Sequence, residues 1–261
     1  MVRRSRGRIF KKLYLFLVLG FMYLPIVMLI IFSFNATKSR STWGGFSLVW
    51  YQRLFSDPEI LHALYVTFLV AIVSTVVSTF LGTLAAIGIH AMKRGPRMLV
   101  QNITYLPMLT PDIVTGISLM ILFIFTGLPL GLFTLILAHI AFNVPYVIFA
   151  VLPKLARMDN SRYEAALDLG AKPGRALRSI VLPEIMPGVI TGALLSFTLS
   201  LDDFVISFFA GGDAQNLSVL IFSMARLGIN PTINALSALM FVVVLALLIT
   251  VNKRASLADV F

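Results

Sequence analysis

The sequence predicts an all-α membrane protein with six transmembrane helices and both termini in the cytoplasm, and three observations lead there. Of its 261 residues, 59% are hydrophobic and only 12% are charged, against about half and about a quarter in ordinary soluble domains. Six apolar runs are each long enough for a crossing, which takes about 20 residues. Basic residues collect on alternate connecting segments, so one side of the membrane receives most of them. The absence of Cys excludes disulfide frameworks, thiolate zinc sites and cysteine catalysis. Six spans and their loops use up the chain, so residues 1–261 read as a single transmembrane domain with its core at about 61–252.

The first run, Leu13 to Phe34, follows Arg3, Arg4, Arg6, Arg8, Lys11 and Lys12. It is too long for a signal-peptide core and lacks a small-residue cleavage pattern, so it is expected to stay as a span. The other five run from about Leu61 to His90, Leu99 to Phe125, Leu132 to Leu152, Ile185 to Phe209 and Ile233 to Val251, each allowing some tilt. With the amino terminus inside, the inner segments hold that basic opening, Lys93, Arg94 and Arg97, then Lys154, Arg157, Arg162, Lys172, Arg175 and Arg178, and finally Lys253 and Arg254. The outer segments hold only Lys38, Arg40, Arg53 and Arg226. That asymmetry orients the chain and accounts for most of the net charge of +10 without a nucleic-acid partner.

On the outer side, Asn35 to Ile60 carries Trp43, Trp50 and Tyr51, which suit the headgroup region, and Leu48 to Phe55 reads as a short interfacial helix. The stretch of about Ala210 to Pro231 mixes Gly211, Gly212 and Asp213 with the apolar Leu217 to Phe222, and is expected to dip partly back toward the membrane. Gly127-Leu128-Pro129-Leu130-Gly131 allows only a tight turn between the third and fourth spans.

The inner loop at 153–184 is too structured for a spacer. Ser161 followed by Glu164 has capping-box spacing, which starts a helix. That helix continues through Ala165, Ala166, Leu167 and Leu169 to Gly170, a residue able to take the left-handed turn that ends it. Pro173 suits the first turn of a second helix through Ala176, Leu177 and Ile180, and Pro183 is expected to stop that one. An amphipathic connector resting on lipid headgroups through Lys172, Arg175 and Arg178 would also fit these residues.

The order Glu164-Ala165-Ala166, then Gly170, then Ile180, Leu182 and Pro183 resembles the EAA loop of the membrane subunits of type I ABC importers, with every signature position filled. The resemblance implies a coupling helix that docks into a cleft of a cytosolic ATPase subunit. Ala165 and Ala166 would permit close approach, Glu164 would secure the helix start, and Gly170 would turn the chain. ATP and Mg would belong to that partner: no G-x-x-x-x-G-K-[ST] phosphate loop occurs in the chain, so no cofactor is expected on it. His62, His90 and His139 are scattered without metal-ligand spacing and read as packing or interface residues.

Asp112, Asp202 and Asp203 lie inside apolar spans, where each carboxylate costs about 2.5 to 3.5 kcal/mol on insertion scales. Asp112 stands fifteen residues beyond Arg97, and Asp202 fifteen beyond Pro187. On straight helices both therefore sit roughly 22 Å above the inner boundary. Ser196, Ser200, Asp203 and Ser207 form one helical stripe, and Thr191, Thr198 and Asp202 a neighbouring one. Asp202 and Asp203 thus face different partners; the longer stripe favours Asp203 for lining a pathway. Pro107 and Pro111 break the third span after Tyr105, and Asn143-Val144-Pro145-Tyr146 does something similar in the fourth. Backbone broken in this way is tolerated where protein or a watery cavity satisfies it. Carboxylates, freed carbonyls and the rings of Tyr105 and Tyr146 suit an organic cation. Interhelical hydrogen bonding, or a salt bridge to a partner subunit, would also explain Asp202 and Asp203, and a helix cap would explain Asp112.

Tyr105 to Leu119, Leu199 to Phe209 and the order of all six spans resemble the second of the two related permeases of spermidine/putrescine importers, over about Leu13 to Arg254. The resemblance implies a polyamine permease subunit in a bacterial inner membrane that forms half of the pathway. Its implied partners are a homologous second permease, an ATPase dimer and an extracytoplasmic polyamine-binding protein. Permeases for other small solutes share this architecture. An ion-coupled secondary transporter, with the three aspartates as proton carriers, is the rival from another class.

Overall fold

The computed structural model describes residues 3–39, 42–227 and 231–258. Arg40, one of the four outer basic residues, lies outside them. The described chain is helical apart from an isolated bridge between Asn35 and Phe46. It divides into two compact units, Met1–Leu61 with Ile221–Phe261, and His62–Leu220.

In the first unit, α1 (Arg3–Ser33), α2 (Val49–Ser56) and α12 (Thr232–Ala258) pack together. Helix α1 has six or more apolar turns with its apolar side chains turned outward, as a helix surrounded by lipid requires. Asn35 organises the loop between α1 and α2. Its amide donates to the carbonyls of Ser39 (3.1 Å) and Thr42 (2.9 Å), and its side-chain oxygen accepts from the Gly44 backbone at 2.7 Å. The α2 helix forms where the sequence predicts one. Trp50, however, is a core residue rather than a headgroup-facing one: it is 3% exposed and its indole donates to the Asn35 carbonyl at 2.6 Å. A buried indole needs that acceptor.

The second unit contains α3 (Pro58–Ala91) from His62 on, α4 (Arg94–Leu109), α5 (Asp112–Phe125), α6 (Leu132–Arg157), α7 (Asn160–Asp168), α8 (Pro173–Ala176), α9 (Leu182–Asp202) and α10 (Val205–Ala210), and α11 (Leu217–Leu227) begins in it. Its main packing is α6 against α9. There Gly188 and Gly192, four residues apart, bring the backbones together: a Cβ on Gly192 would stand 3.1 Å from Val147 Cα, and one on Gly188 would stand 3.0 Å from the Ala150 carbonyl. Small residues at that spacing permit such an approach. Around this seam Ile89 of α3, Val151 and Leu155 of α6, and Val181 and Ile185 near the start of α9 form a buried apolar cluster.

Four helical runs are long and apolar enough to cross a membrane: Phe10–Ser33, Pro58–Ala91, Leu132–Arg157 and Pro173–Asp202. The third expected span is α4 and α5, bent by 103° at Thr110-Pro111. Pro111 lacks the donor a continuous helix needs and pushes Thr110 into an extended conformation. The straight-helix count that sets Asp112 level with Asp202 therefore fails. The sixth expected span falls in α12, whose Thr232–Ala246 is a shorter apolar stretch.

The fifth span differs at both ends. Pro183 does not stop a helix: Pro173 to Asp202 is one helical run. A π-helical turn at Leu177–Val181, closed by the Leu182 N–H on the Leu177 carbonyl, lies immediately ahead of Pro183 and absorbs its missing donor. At the far end the helix stops at Asp202, and α10 restarts after Asp203 and Phe204. The continuous stripe through Asp203 and Ser207 is therefore interrupted.

Candidate functional site

Two sets of side chains stand at opposite ends of the run Pro173–Asp202. At the amino-terminal end is the corner formed by α7 and α8. Helix α7 begins one residue before Ser161, and its cap is Asp159, not a Ser161–Glu164 box: the Asp159 carboxylate accepts the Ser161 backbone N–H at 3.0 Å. That bond is the main reason the Asp159 carboxyl is held below the ordinary carboxylate range. Tyr163 packs toward the apolar cluster, while Glu164 and Ala165 are exposed and Ala166 is half-buried. Gly170 turns the chain with φ +84°, a left-handed conformation that few L side chains adopt. Beside it Leu169 is 89% exposed, a large apolar side chain with nothing over it in this chain. Ile180 and Leu182 are half-buried, and Pro183 is exposed. Arg162 of α7 and Glu184 of α9 approach to 3.9 Å across the corner.

At the other end, the break after α9 separates two adjacent carboxylates. Asp203 is folded in: its Oδ2 accepts the Ser207 backbone N–H at 2.8 Å and the Ser207 hydroxyl at 2.9 Å, and its Oδ1 accepts the Ile206 N–H at 3.3 Å. Asp202 is exposed. It sits at the carboxyl end of α9, where the last carbonyls of a helix lack intrahelical donors and the helix dipole is negative. Negative charge and open acceptors therefore coincide there.

The break of the third span lies beside that of the fifth. Gly116, one turn into α5, packs against α10, where a Cβ would stand 3.4 Å from the Val205 carbonyl and 3.0 Å from the Phe209 ring. Asp112, exposed in the first turn of α5, is also within electrostatic reach of Tyr146. Tyr146 packs on Phe142 with ring centroids 5.2 Å apart, and Tyr105 packs edge-on to Phe149 at 5.8 Å. Asn143 is fully buried, and its amide donates to the Ser200 hydroxyl at 2.7 Å, which in turn contacts Ser74 at 3.1 Å. Asp112 thus lies near Tyr146, and Asp202 and Asp203 stand at a break whose following helix, α10, packs on α5, while Asn143 ties α6 to α9.

Sequence reasoning missed His139 and Asn216. His139, expected as a packing or interface residue, stands 3.0 Å from the Ser207 hydroxyl and 3.6 Å from Asp203. Asn216, at the start of α11, donates to Ser207 at 2.7 Å and to the Asp203 carbonyl at 3.0 Å. The signal for His139 was present, since His139, Asn143 and Tyr146 recur at i, i+4 and i+7 on one face of α6. Among the described residues no group of three or more His, Asp or Glu side chains converges as metal ligands.

Residues 78–255 match the family of binding-protein-dependent transport system inner membrane components. The chain is 38% identical over 240 residues to the spermidine/putrescine transport system permease protein PotC of Haemophilus influenzae, covering 92% of this chain and 93% of that one. It is 42% identical over 234 residues to the putrescine transport system permease protein PotI of Escherichia coli K12, covering 85% and 83%. Among solved structures, a bacterial ABC transporter involved in import of the acidic polysaccharide alginate superposes with a TM-score of 0.73 at 18% identity, over 96% of this chain and 94% of that one. The alginate transporter in complex with a pentasaccharide-bound periplasmic protein gives 0.70 at 19% identity, over 94% and 91%.

Proposed function

The chain belongs to the family of binding-protein-dependent transport system inner membrane components, and on that premise we propose that it is the polyamine-translocating permease subunit of an ATP-driven importer. The observation that carries the reading is a mechanical one. A single helical run, Pro173–Asp202, has the docking corner at one end and an exposed carboxylate at the other. At 1.5 Å per residue its 30 residues reach about 45 Å, enough to cross a bilayer core. Movement imposed on the corner is thereby delivered to Asp202.

In this reading the exposed side of α7, with Glu164, Ala165 and the tip residue Leu169, fits into a cleft of a cytosolic ATPase. ATP and Mg act there, and both termini of this chain are cytoplasmic. Closure of an ATPase dimer draws the corner of this subunit toward that of a homologous second permease. Rigid-body rotation of the attached spans then opens the outer side beneath a docked extracytoplasmic binding protein. Asp202, the carbonyl end of α9 and Asp112 receive the ammonium groups of spermidine or putrescine as water is shed, with Tyr146 offering a ring face. Polyamine specificity is supported by the names of the PotC and PotI relatives and by the abundance of negative charge at the two helix breaks.

The test is uptake of labelled spermidine by the assembled importer in vesicles, with ATPase activity followed in parallel. Asp202→Asn is expected to keep the ATPase active and to slow uptake by about tenfold or more, the equivalent of one lost charge contact of ~1.4 kcal/mol. Unchanged uptake by an assembled Asp202→Asn importer would remove the carboxylate from the pathway.

A further inference from the structure

Among the described residues, the transport reading leaves the buried titratable side chain of His139 unused. His139 on α6 is fully buried, and its Nδ1 has no hydrogen-bond partner. An imidazole with one nitrogen unsatisfied in the interior is costly as packing. Its other nitrogen points at the break in the fifth span.

What holds that break open is a pair of redirected hydrogen bonds. In an uninterrupted α-helix the Ser207 N–H would bond the Asp203 carbonyl four residues back. Here neither group meets the other: the Ser207 N–H goes to the Asp203 carboxylate at 2.8 Å, and the Asp203 carbonyl accepts the Asn216 amide at 3.0 Å. The Ser207 hydroxyl has one proton, which it gives to Asp203. Toward Asn216 (2.7 Å) and His139 (3.0 Å) its oxygen must therefore accept. His139 accordingly carries a proton on Nε2, which also faces Asp203 Oδ2 at 3.6 Å. Two donors from α6 and the start of α11 thus fix the direction of the serine proton and stabilise a carboxylate that is only 7% exposed.

We propose that His139 is a positioning residue for transport: together with Asn216 it clamps the Asp203–Ser207 pair, keeps the fifth span broken after Asp202, and so holds the Asp202 carboxylate out at the end of α9. Without the clamp, the stretch Leu199 to Phe209 is free to close its missing helical bonds, and Asp202 rotates away from the open side. The inference rests on the reading that Asp202 meets the cargo, and its test separates the two.

The assembled importer supplies both readouts. Spermidine uptake is measured for His139→Leu, His139→Gln, Asp202→Asn and the double variant His139→Leu with Asp202→Asn, with co-purification of the partner subunits as the check on assembly. His139→Leu is expected to slow uptake about tenfold. His139→Gln, whose amide can still donate to Ser207, should recover most of that, and the double variant should fall no lower than Asp202→Asn alone, as for residues acting through one another. Independently of cargo, the chain has no Cys, so Asp202→Cys can be labelled with an impermeant thiol reagent. Labelling is expected to slow several-fold when His139→Leu or Asn216→Ala is added. Unchanged labelling in both backgrounds, or losses in uptake that multiply in the double variant, would overturn the clamp. Slowed labelling combined with an Asp202→Asn importer that transports normally would keep the clamp and reject only the cargo role.

Discussion

Asp202 and Asp203 are adjacent in the chain and have opposite surroundings: the Asp203 carboxylate closes on the Ser207 hydroxyl at 2.9 Å and on two backbone N–H groups, while Asp202 stays exposed at the end of α9. Substitutions at the two should therefore fail differently. Asp203→Ala removes the acceptor that starts α10, a capping loss of about 1 kcal/mol, with further cost from the donors left unpaired. It is expected to lower the melting temperature of the solubilised permease, whereas Asp202→Asn leaves that temperature unchanged. Equal melting shifts for the two would contradict the assignment.

Gly170 joins α7 to α8 at φ +84°. A Cβ there meets no neighbour within 4 Å, so its penalty is conformational and not steric. Gly170→Ala is expected to cost about 1 kcal/mol of corner stability, and Gly170→Asn less, because Asn tolerates the left-handed region better. The measurement is ATP-driven uptake together with stimulation of ATPase activity by the loaded binding protein. Both should fall for Gly170→Ala and recover partly for Gly170→Asn. An equal loss for the two would point to lost space at the corner and not to backbone strain.

The helical architecture was legible because long apolar runs and basic alternation are properties of composition, and the corner because its Ala, Gly and Pro residues have local conformational consequences. The breaks were half legible: the one expected at Asn143-Val144-Pro145-Tyr146 does not occur, since α6 runs unbroken through Pro145 from Leu132 to Arg157. Pro111 announced one of them, but its 103° bend depends on packing between segments far apart in sequence. The break after Asp202 has no Pro or Gly to announce it. It depends on His139 and Asn216, 64 and 13 residues from Asp203 in the chain, so helical periodicity alone ran the stripe through it. Pro183 misled for the opposite reason: a π turn ahead of it supplies the slack that a regular helix lacks.

The spacing Gly188-x-x-x-Gly192 fixes how closely α6 and α9 approach. A side chain on Gly192 would meet the Val147 backbone Cα at 3.1 Å, and backbone cannot rotate aside as a flexible side chain can. Gly192→Leu is expected to separate the two helices and to cost several kcal/mol, within the range of severe overpacking in a close-packed core. Recovery of folded permease after solubilisation reads this directly. Gly20→Leu, placed where a Cβ meets nothing within 4 Å, is the control expected to express normally.

The pH response of the corner follows from Asp159, whose carboxyl is held below its ordinary value of 3.8, chiefly by the Ser161 N–H it accepts. A group with a depressed folded-state value contributes stability above its unfolded value and loses it as pH falls through the folded one. Helix α7 should therefore be equally protected across the neutral range, with Asp159 ionised throughout, and should begin to fray only when pH drops below about 4, where the carboxylate starts to take up its proton. Hydrogen exchange at the amides of Ser161 to Ala165, corrected for the intrinsic pH dependence of exchange, reads this out. Asp159→Ala should speed exchange at neutral pH, and Asp159→Asn should do so less, since its amide oxygen still accepts. Protection that changes steeply between pH 5 and 8 would mean that another group governs the start of α7.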